Sequence, residues 1–435
     1  MSGPQQSAAR LALGRLWVLM VTAFVDMLGF ALILPLLPLY ATRYGAPPVV
    51  VGLLMAAFAF AQLLTAPLWG RLSDRAGRRP VIIGGQCLAA IAFAIFAVAD
   101  SVWLLLLCRL VQGAGGGTVS VNQAYVGDVA GPQDRARALG WITACSSLGV
   151  MIGPAIASFS FRFSESAPGM IAAALSALNV LFAWRWLPEP LRHRHAGQRR
   201  RRLRQAVAAV ARHPFEPPHL LVWIYATGMM AFMAMNAVMA LFLALRFGID
   251  ERSIGWFYVA VGSVSVVMRA LILGSLVRRF GEVRVLRAGG LLLAAGMVLA
   301  PFAATPAAFL LAIVLVPAGT ALLFPSTTSL VSRLAPSGEL GQTLGVQQAF
   351  GGTSRLLGPI WAGAVFQHAG PQATFWLAGG VVLAAVLAAL RLHPGEAPRR
   401  EVEVVVDDAG DVSPPLSSAP AAAGSRPPGQ TSSPL

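Results

Sequence analysis

One carboxyl group stands in a long apolar stretch of the sequence, where it is well placed to carry a proton. Asp26 lies within the stretch 16–40, and no other acid is found so deep inside an apolar stretch of this chain. A carboxyl group at that depth can exchange a proton as its hydration changes. The alternative is a structural carboxyl group that pairs with a neighbouring helix. Gly29, Pro35 and Pro38 follow Asp26 in the same stretch.

An arginine begins a polar face on another apolar stretch, 102–124. The residues of this face are Arg109, Gln112, Gly113, Gly116, Ser120 and Gln123. Their spacing places them on one side of a helix. An arginine inside a membrane costs several kcal/mol unless it faces a cavity or a partner. We therefore expect Arg109 to face a cavity, or else to extend to the membrane surface, about 9 Å away at 1.5 Å per residue.

Two more arginines, Arg269 and Arg355, interrupt apolar stretches in the second half of the chain. Gly262 and Ser265 lie on the same helix face as Arg269. The face of Arg355 also carries Gln348, Gly351 and Gly358. The alternatives are extension to the surface for Arg269 and helix-to-helix hydrogen bonding for Arg355. If both line one cavity with Arg109 and Asp26, three positive charges face one negative charge. Such a cavity favours neutral or anionic substrates.

The elements that must position these residues are membrane-spanning helices. The chain has 435 residues, 56% of them hydrophobic and only 12% charged, whereas soluble proteins are about 25% charged. Twelve apolar stretches are long enough to cross a bilayer: 16–40, 50–70, 80–99, 102–124, 138–160, 168–187, 219–245, 254–277, 285–304, 306–327, 342–366 and 372–391. The sequence thus predicts an all-α, multi-pass membrane protein with twelve transmembrane helices.

The net charge of +15 is explained by membrane topology. The basic residues are arginines in the short gaps between apolar stretches, so we do not expect the chain to bind nucleic acid. They concentrate in alternate gaps, most densely at 188–218, which predicts that the N- and C-termini are cytoplasmic. The basic stretch 191–212 is either a surface helix on anionic lipid or a solvated connector.

The two halves of the sequence resemble each other. The segment 70–77 aligns with 274–281, and the pairs Leu139-Gly140 and Gly153-Pro154 align with Leu344-Gly345 and Gly358-Pro359, all at an offset of 204 or 205 residues. We therefore predict two six-helix bundles, 1–190 and 219–392, joined by a cytoplasmic basic linker, 191–218, and followed by a disordered tail, 393–435. Parallel halves of this kind place a substrate cavity between them, near the middle of the membrane.

Two short motifs separate or interrupt these helices. The gap after the second stretch contains Gly70, Asp74, Arg75, Gly77, Arg78 and Arg79. The glycines favour a tight turn. Asp74 requires a partner, either an arginine or a helix N-terminus in the other half. The alternative for the whole motif is an ordinary basic loop. The fifth stretch contains Gly149, Gly153 and Pro154, whose small side chains let helices approach closely.

The gap motif at 70–80 resembles the most specific signature of the major facilitator superfamily. In that family this loop is a conformational latch between two halves, which implies a latch role for its six residues named above. Arg278 stands at the place of Asp74 in the second copy. The segment 109–113 resembles the family's fourth-span motif, whose arginine is implicated in proton coupling. The segment 149–157 resembles the motif that marks antiporters, although Ala157 replaces its final glycine.

The first stretch, with Asp26, Gly29 and the two prolines, resembles that of twelve-span drug:proton antiporters. Tetracycline/proton antiporters are the most similar branch. The residues that carry this further resemblance are Gln62, which precedes Ala66 and Pro67, and Tyr125, Asp128, Arg135, Ala136 and Arg137. Those antiporters carry additional acids in their third and ninth spans, whereas this chain has none there, which argues against metal-chelated tetracycline as the substrate.

The resemblance implies secondary active transport by alternating access. We expect proton-coupled efflux of a small amphipathic or hydrophobic compound, with Asp26 and Arg109 in proton coupling. The substrate cavity would include Gln62, the polar face of the fourth stretch, Arg269, Gln348 and Arg355. The alternatives are a metabolite or sugar facilitator of the same fold and a receptor that does not transport. We expect no enzymatic activity, no metal and no cofactor other than a proton gradient, and a monomer in a bacterial cytoplasmic membrane.

Overall fold

The computed structural model describes residues 4–129, 135–190, 200–335 and 340–392, and all regular secondary structure in these ranges is helical. The α-helices are α1 (Pro4–Ile33), α2 (Leu36–Arg43), α3 (Pro48–Ala76), α4 (Arg78–Ala97), α5 (Val102–Gly116), α6 (Val119–Val129), α7 (Arg135–Phe161), α8 (Ala167–Trp186), α9 (Arg200–Arg212), α10 (Pro217–Phe247), α11 (Ile254–Val267), α12 (Leu273–Phe280), α13 (Glu282–Leu299), α14 (Pro306–Ile313), α15 (Leu315–Leu334), α16 (Leu340–His368) and α17 (Pro371–Ala388). A π-helical turn, Met268–Ile272, joins α11 to α12. Short 3-10 turns, Ala300–Phe302 and Ala389–Arg391, follow α13 and α17.

Eleven helical stretches of the described chain are long and apolar enough to cross a membrane. They are Leu16–Arg43, Pro48–Ala76, Arg78–Ala97, Val102–Val129, Arg137–Phe161, Ala167–Trp186, Pro217–Phe247, Ile254–Phe280, Glu282–Phe302, Pro306–Leu334 and Pro371–Arg391. The remaining predicted span, 342–366, is the 29-residue helix α16, which is long enough to cross but is less apolar. We number the spans 1 to 12 in chain order, with α16 as span 11.

Proline and glycine set the ends of several spans. Spans 2, 7, 10 and 12 each begin with a proline at the first helical position, where no backbone N–H is needed. Spans 2, 7 and 8 end at Gly77, Gly248 and Gly281, whose φ angles are 105°, 67° and 80°. Glycine adopts such angles without a steric cost. These turns return the chain across the bundle.

The predicted repeat is visible in the packing of the helices. In the first half span 1 packs against span 5, span 2 against span 4, and span 3 against spans 4 and 6. In the second half, span 7 packs against span 11, span 8 against span 10, and span 9 against spans 10 and 12. Each second-half pair is the counterpart of a first-half pair, so the two six-helix groups share one internal arrangement.

A pair of glycines shows the repeat at the level of single residues. A Cβ on Gly115 would lie 2.6 Å from the carbonyl oxygen of Gly85, and a Cβ on Gly319 would lie 2.6 Å from that of Gly289. The members of the second pair stand 204 residues after those of the first. Spans 3 and 4 therefore meet through the same glycine contact as spans 9 and 10.

The two halves meet through span 2 against span 11 and span 5 against span 8, which are again counterparts. The carbonyl oxygen of Pro359 faces Gly52, and that of Pro154 faces Gly255, so closely that neither glycine leaves room for a Cβ. The side of the bundle that carries the turns at Gly77 and Gly281 is called the loop face. The face that carries Arg43, Glu165 and Glu251 is the ion-pair face, and the glycine contacts lie toward it.

The described part of the predicted linker, 200–218, contains helix α9. Val210 and its apolar neighbours pack against Val222 and Val346, at the loop-face ends of spans 7 and 11. The indole nitrogen of Trp223 donates to the carbonyl oxygen of Val210 at 3.1 Å. The apolar side of α9 therefore contacts the second half. Residues 191–199 and the predicted tail, 393–435, lie outside the described residues.

Candidate functional site

Asp26 lies on the wall of a cavity of about 290 Å³ in the first half. Its Oδ1 accepts a hydrogen bond from the side-chain amide of Asn179, on span 6, at 3.0 Å. The same amide donates to the carbonyl oxygen of Thr22 at 3.3 Å, and Asn179 is buried. Span 6 thus holds the carboxylate in place from a position 153 residues away in the sequence.

The cavity lies among spans 1, 3, 4 and 5, with Phe58 of span 2. It runs from Asp26 and Phe30 to Val126 and Leu139, which lie toward the loop-face ends of spans 4 and 5. Most of its lining is apolar, as in small-molecule sites in general. Of the predicted cavity residues, Gln112, Gly116 and Gln123 line it.

Several buried polar atoms on the cavity wall lack a hydrogen-bond partner among the described residues. They are both side-chain polar atoms of Gln86, Nε2 of Gln112 and Oδ1 of Asn122. Buried polar groups are normally paired, so these amides are positioned to bind the polar groups of an occupant or water. Gln86 and Asn122 were not identified from the sequence because an isolated amide in an apolar span carries no spacing signal.

Arg109 is buried next to this cavity and does not extend to the membrane surface. It is 2% exposed; its Nη1 donates to Oε1 of Gln112 at 2.6 Å, and its Nε donates to the carbonyl oxygen of Leu54 at 3.4 Å. The guanidinium lies 4.8 Å from the ring centroid of Phe58 and 5.8 Å from that of Phe30. Cation–π contacts of this kind stabilise a desolvated charge. In the described chain, Arg109 has no carboxylate partner.

The other predicted residues near span 4 contact neighbouring backbone groups. Gln62 donates from Nε2 to the carbonyl oxygen of Gly116 at 3.0 Å. Gly113 faces the backbone of Phe58 so closely that a side chain would collide with it. Ser120 is exposed, and its hydroxyl donates to the carbonyl oxygen of Gly117 at 3.4 Å. Gln62, Gly113 and Ser120 do not line the described cavity.

The motif at 70–80 is mostly helix, and its tight turn is confined to Gly77, between α3 and α4. Residues 70–76 are the last turns of α3, and only Gly77 adopts a positive φ, 105°. Gly70 has open space around its Cα. Asp74 pairs with Arg78 at 2.9 Å, so its partner in the described chain is an arginine of the same motif and not a group in the other half.

Arg78 and Arg79 tie this motif to the rest of the first half. The Arg78 guanidinium contacts Asp128 at 2.9 Å, as well as Asp74, and it donates to the Ser73 hydroxyl at 2.7 Å. The Glu189 carboxylate accepts from the backbone N–H groups of Arg78 at 2.6 Å and Arg79 at 2.9 Å. These contacts cap the N-terminus of span 3, which favours a negative charge.

The remaining motif residues are less constrained. Arg79 donates from its side chain to the carbonyl oxygen of Trp184 on span 6. Arg75 is exposed and makes no hydrogen bond or ion pair within the described residues. The contacts of Glu189 were not predicted from the sequence. This acid stands at the edge of the basic linker, where it is not distinguished from the other charged residues.

Gly149, Gly153 and Pro154 pack span 5 between two other spans. Gly149 and Gly153 face the backbone of span 1, where a Cβ on either would collide with residues 24–28 or 28–32. The carbonyl of Pro154 faces Gly255 of span 8. The close-packing alternative accounts for the geometry of this motif. Gly255, its contact partner in the second half, was not identified from the sequence, nor was Gly52, which faces Pro359.

The predicted residues of the second half do not line the first-half cavity. Arg269 lies in the π-helical turn of span 8 and is exposed. Arg355 is half-buried on span 11. Gln348 lies about two turns earlier on the same helix and is exposed. Tyr225 of span 7 packs against Gly351, one turn before Arg355 on span 11. The described structure does not bring these residues together with Asp26.

Ion pairs and hydrogen bonds join the halves at the ion-pair face. Arg43 contacts Glu165 and Glu251, each at 2.7 Å. The Ser158 hydroxyl donates to the carbonyl oxygen of Glu251 at 2.7 Å and accepts from the N–H of Gly255 at 2.8 Å. Among the residues that the structure describes, no ion pair joins the motif at 70–80 to the second half. The described conformation is therefore closed at the ion-pair face, and its cavity extends toward the loop face.

Comparison with known sequences identifies one family and several related proteins. A family model described as Major Facilitator Superfamily matches residues 19–271 and 221–420. The class C tetracycline resistance protein of Escherichia coli is 31% identical over 399 residues, covering 86% of this chain and 96% of that protein. Multidrug resistance protein 2 of Bacillus subtilis is 28% identical, covering 80% and 88%.

Solved structures share the same fold. The human organic anion transporter MFSD10 (TETRAN) aligns with a TM-score of 0.65 and 24% identity, covering 87% of this chain and 99% of that one. The nucleoside transporter NupG aligns with a TM-score of 0.70 and 17% identity over 86% of this chain and 98% of that one. Both likenesses concern the fold alone.

Proposed function

The chain belongs to the Major Facilitator Superfamily, and we propose that it is a proton-coupled exporter of a small amphipathic compound. Members of the family are membrane transporters, so the chain is a multi-pass transporter of small molecules and not an enzyme. Its relatives include tetracycline and multidrug resistance proteins. These similarities support efflux, and the proposal adds proton coupling through a named residue.

The observation that carries the proposal is the position of Asp26. Its carboxylate lies on the wall of an apolar cavity, held by the Asn179 amide. A carboxyl group can bind and release a proton where a substrate also binds, which couples the two. Arg109 lies against Phe30 and Gln112, which line the same cavity, so its charge acts close to the proton site.

Alternating access would follow from rocking of the two halves against each other. In the described conformation the ion-pair face is closed, so substrate enters from the loop face. Opening of the ion-pair face would release the substrate and expose Asp26 to protons on that side. Return of the protonated carrier would bring the proton to the loop face, where the next substrate replaces it.

We further propose that the loop face is cytoplasmic. The arginine-rich gaps lie on this face, as the positive-inside rule requires, and both termini would lie there too. The carrier would act as a monomer in a bacterial cytoplasmic membrane, with the proton gradient as its energy source and no bound cofactor or nucleic acid.

The test is transport in inverted membrane vesicles with an acidic lumen. A screen of drug susceptibility with and without expression would first select the probe. Vesicles with the natural protein should accumulate the probe when the pH gradient is imposed, and Asp26→Asn should abolish that accumulation. Exchange of probe across the membrane without a gradient should persist, because exchange needs no proton.

The matched control is Asp100→Asn, which removes an exposed acid between spans 3 and 4. This variant should transport like the natural protein. Full gradient-driven accumulation by Asp26→Asn would refute the role given to Asp26. Uptake into cells that a protonophore does not change would instead support the metabolite or sugar facilitator.

A further inference from the structure

We propose that Gln86 of span 3 selects the substrate by pairing with a donor–acceptor edge, such as the adjacent N–H and carbonyl oxygen of an aromatic lactam. This inference rests on the proposed function, because it names the substrate class of the same transporter. It arises from a buried glutamine on the wall of the first-half cavity, which the proton-coupling scheme does not use.

Gln86 has a complete hydrogen-bonding edge that the described protein leaves unused. The residue is 3% exposed, and both Oε1 and Nε2 are buried without a partner among the described residues. A buried amide that is left unpaired costs free energy, which a suitable ligand recovers. Rotation about the last bonds of the side chain, where the torsional preference is broad, would turn the amide into the cavity that Gln86 lines.

The backbone beside Gln86 is held closely against span 4. A Cβ on the preceding residue, Gly85, would lie 2.4 Å from the methyl carbon of Thr118 and 3.0 Å from the carbonyl oxygen of Gly115. The Thr118 hydroxyl donates to that same carbonyl oxygen at 2.9 Å. The helix contact therefore fixes the position of Gln86, while its side chain can adjust to a ligand.

Two further amides stand on span 4 on either side of this contact. Gln112 lies one turn before Gly115 and Asn122 one turn after Thr118, and both line the same cavity. Arg109 donates to Oε1 of Gln112 at 2.6 Å. Because a guanidinium can only donate, the unpartnered Nε2 of Gln112 is a hydrogen-bond donor, whereas the unpartnered Oδ1 of Asn122 is an acceptor. The wall thus favours a ligand that carries both kinds of group.

A glutamine with both atoms free can bind an amide edge through two parallel hydrogen bonds. Nε2 would donate to a carbonyl oxygen while Oε1 accepts from the N–H beside it, which is how glutamine binds the donor–acceptor edge of adenine. Lactams and primary carboxamides present the same edge. A compound whose N–H and carbonyl groups point in different directions would satisfy only one of the two atoms of Gln86.

The rest of the cavity indicates a neutral aromatic ligand. Phe30, Phe58 and Phe93 line it, and the rings of Phe30 and Phe58 lie 5.1 Å apart. Asp26 stands on the wall and the Arg109 guanidinium lies against Phe30 and Phe58, so these two ionised groups sum to no net charge. The volume of about 290 Å³ is close to the lower limit for small-molecule sites, about 300 Å³, which suits a fused two-ring compound.

The test compares three two-ring compounds that differ in this edge. Quinolin-2(1H)-one presents its N–H and carbonyl oxygen side by side, its isomer quinolin-4(1H)-one presents them at opposite ends of one ring, and 1-methylquinolin-2(1H)-one lacks the donor. Equilibrium dialysis against the full-length protein in phosphatidylcholine nanodiscs, corrected with empty nanodiscs and without a pH gradient, gives their dissociation constants. Quinolin-2(1H)-one should bind about three- to tenfold more tightly than either other compound, as expected for one additional hydrogen bond.

Gln86→Met keeps the length of the side chain and removes both polar atoms, so this variant should bind the three compounds with nearly equal affinity. Gln347→Met is the matched control, because Gln347 is also buried with an unpartnered Oε1 but lies on span 11, outside the first-half cavity. This variant should keep the preference for quinolin-2(1H)-one. A full preference in Gln86→Met would overturn the proposal, because the edge would then bind to another group, such as Asp26 or Asn122.

The comparison of the three compounds on the natural protein decides the matter even if Gln86→Met does not fold. Equal binding of the two isomers there would overturn the proposal and would mean that water satisfies the amide. Failure of this proposal is distinct from failure of the proposed function. Loss of the lactam preference leaves gradient-driven accumulation in vesicles intact, whereas failure of proton coupling through Asp26 leaves the preference without a gradient unchanged.

Discussion

Arg43 Nη2 contacts Glu251 Oε1 at 2.7 Å, although the two residues are 208 positions apart. Arg43 ends span 1 and Glu251 precedes span 8, so this ion pair joins the two halves at the ion-pair face. The same guanidinium contacts Glu165, which belongs to the first half, at 2.7 Å. Glu251 is the less exposed of the two acids, with 12% of its side chain accessible against 69% for Glu165.

Removal of the charge of Glu251 should favour opening of the ion-pair face. A partly exposed ion pair contributes about 0.5–1 kcal/mol, so Glu251→Gln should raise the open population about two- to fivefold. The measurement is the rate at which an impermeant maleimide labels Ala46→Cys, a position that is buried at this face. The protein without the added cysteine gives the background.

Glu165→Gln is the matched control for this prediction. It removes the other partner of Arg43 but leaves the contact between the halves intact, and so it should not accelerate labelling. Equal acceleration by both variants would mean that the charge around Arg43, and not the contact with Glu251, controls this face.

A methyl group at Gly255 should prevent the ion-pair face from closing. A Cβ there would collide with the carbonyl oxygen of Pro154 and lie 2.5 Å from the Ser158 hydroxyl, whereas a Cβ at Gly262 would meet only Met151, at 3.5 Å. Overpacking costs about 1–3 kcal/mol, so Gly255→Ala should slow vesicle transport at least about fivefold. Gly262→Ala, the same change two turns along span 8, should transport normally. Equal rates for the two variants would contradict the assigned contact.

Loss of the amide at Asn179 should uncouple transport from the proton gradient. Asn179 donates to Asp26 at 3.0 Å, and a hydrogen bond to a charged group contributes about 1.5–3 kcal/mol. Asn179→Leu should therefore reduce gradient-driven accumulation about tenfold or more, while exchange of probe without a gradient persists. A general structural defect would reduce both.

Ser176→Ala provides the comparison for that experiment. Ser176 is buried one turn earlier on span 6, and its hydroxyl has no partner among the described residues. Its removal should leave gradient-driven accumulation unchanged. If Ser176→Ala lowered accumulation as much as Asn179→Leu, the effect would come from span 6 packing and not from the contact with Asp26.

The fold was accessible from the sequence because it depends on local patterns. Apolar stretches of span length identified the membrane helices, and alignment of 70–77 with 274–281 identified the repeat. Span 11 is the least obvious to a hydropathy criterion because Gln348 and Arg355 interrupt it. The two halves needed no distant information to be recognised as copies of one another.

The site was accessible only in part because its contacts join distant segments. Asp26 and Arg109 were identified as isolated charges in apolar spans. Their partners were not: Asn179 is one polar residue in an apolar helix, and the ring of Phe58 under Arg109 looks like any core residue. Glu251 stands in a turn with no motif around it. Only the packing of helices from different parts of the chain selects these residues.

The cap that Glu189 places on span 3 should stabilise the first half. Its carboxylate accepts from the N–H groups of Arg78 and Arg79 at a helix N-terminus, where such contacts contribute about 0.5–2 kcal/mol. Glu189→Ala should therefore lower the thermal unfolding midpoint of the purified protein by a few degrees, about 2–4 °C per kcal/mol.

Two variants separate the cap from a general effect of charge. Glu189→Gln keeps an acceptor oxygen and should unfold at a temperature between those of the natural protein and Glu189→Ala. Glu216→Ala removes an acid that contacts His219 near the linker, and it should unfold like the natural protein because no N–H group of span 3 depends on it. If Glu189→Ala and Glu216→Ala lowered the unfolding midpoint equally, loss of any acid near the basic linker would destabilise the chain. The decrease could then not be attributed to the cap on span 3.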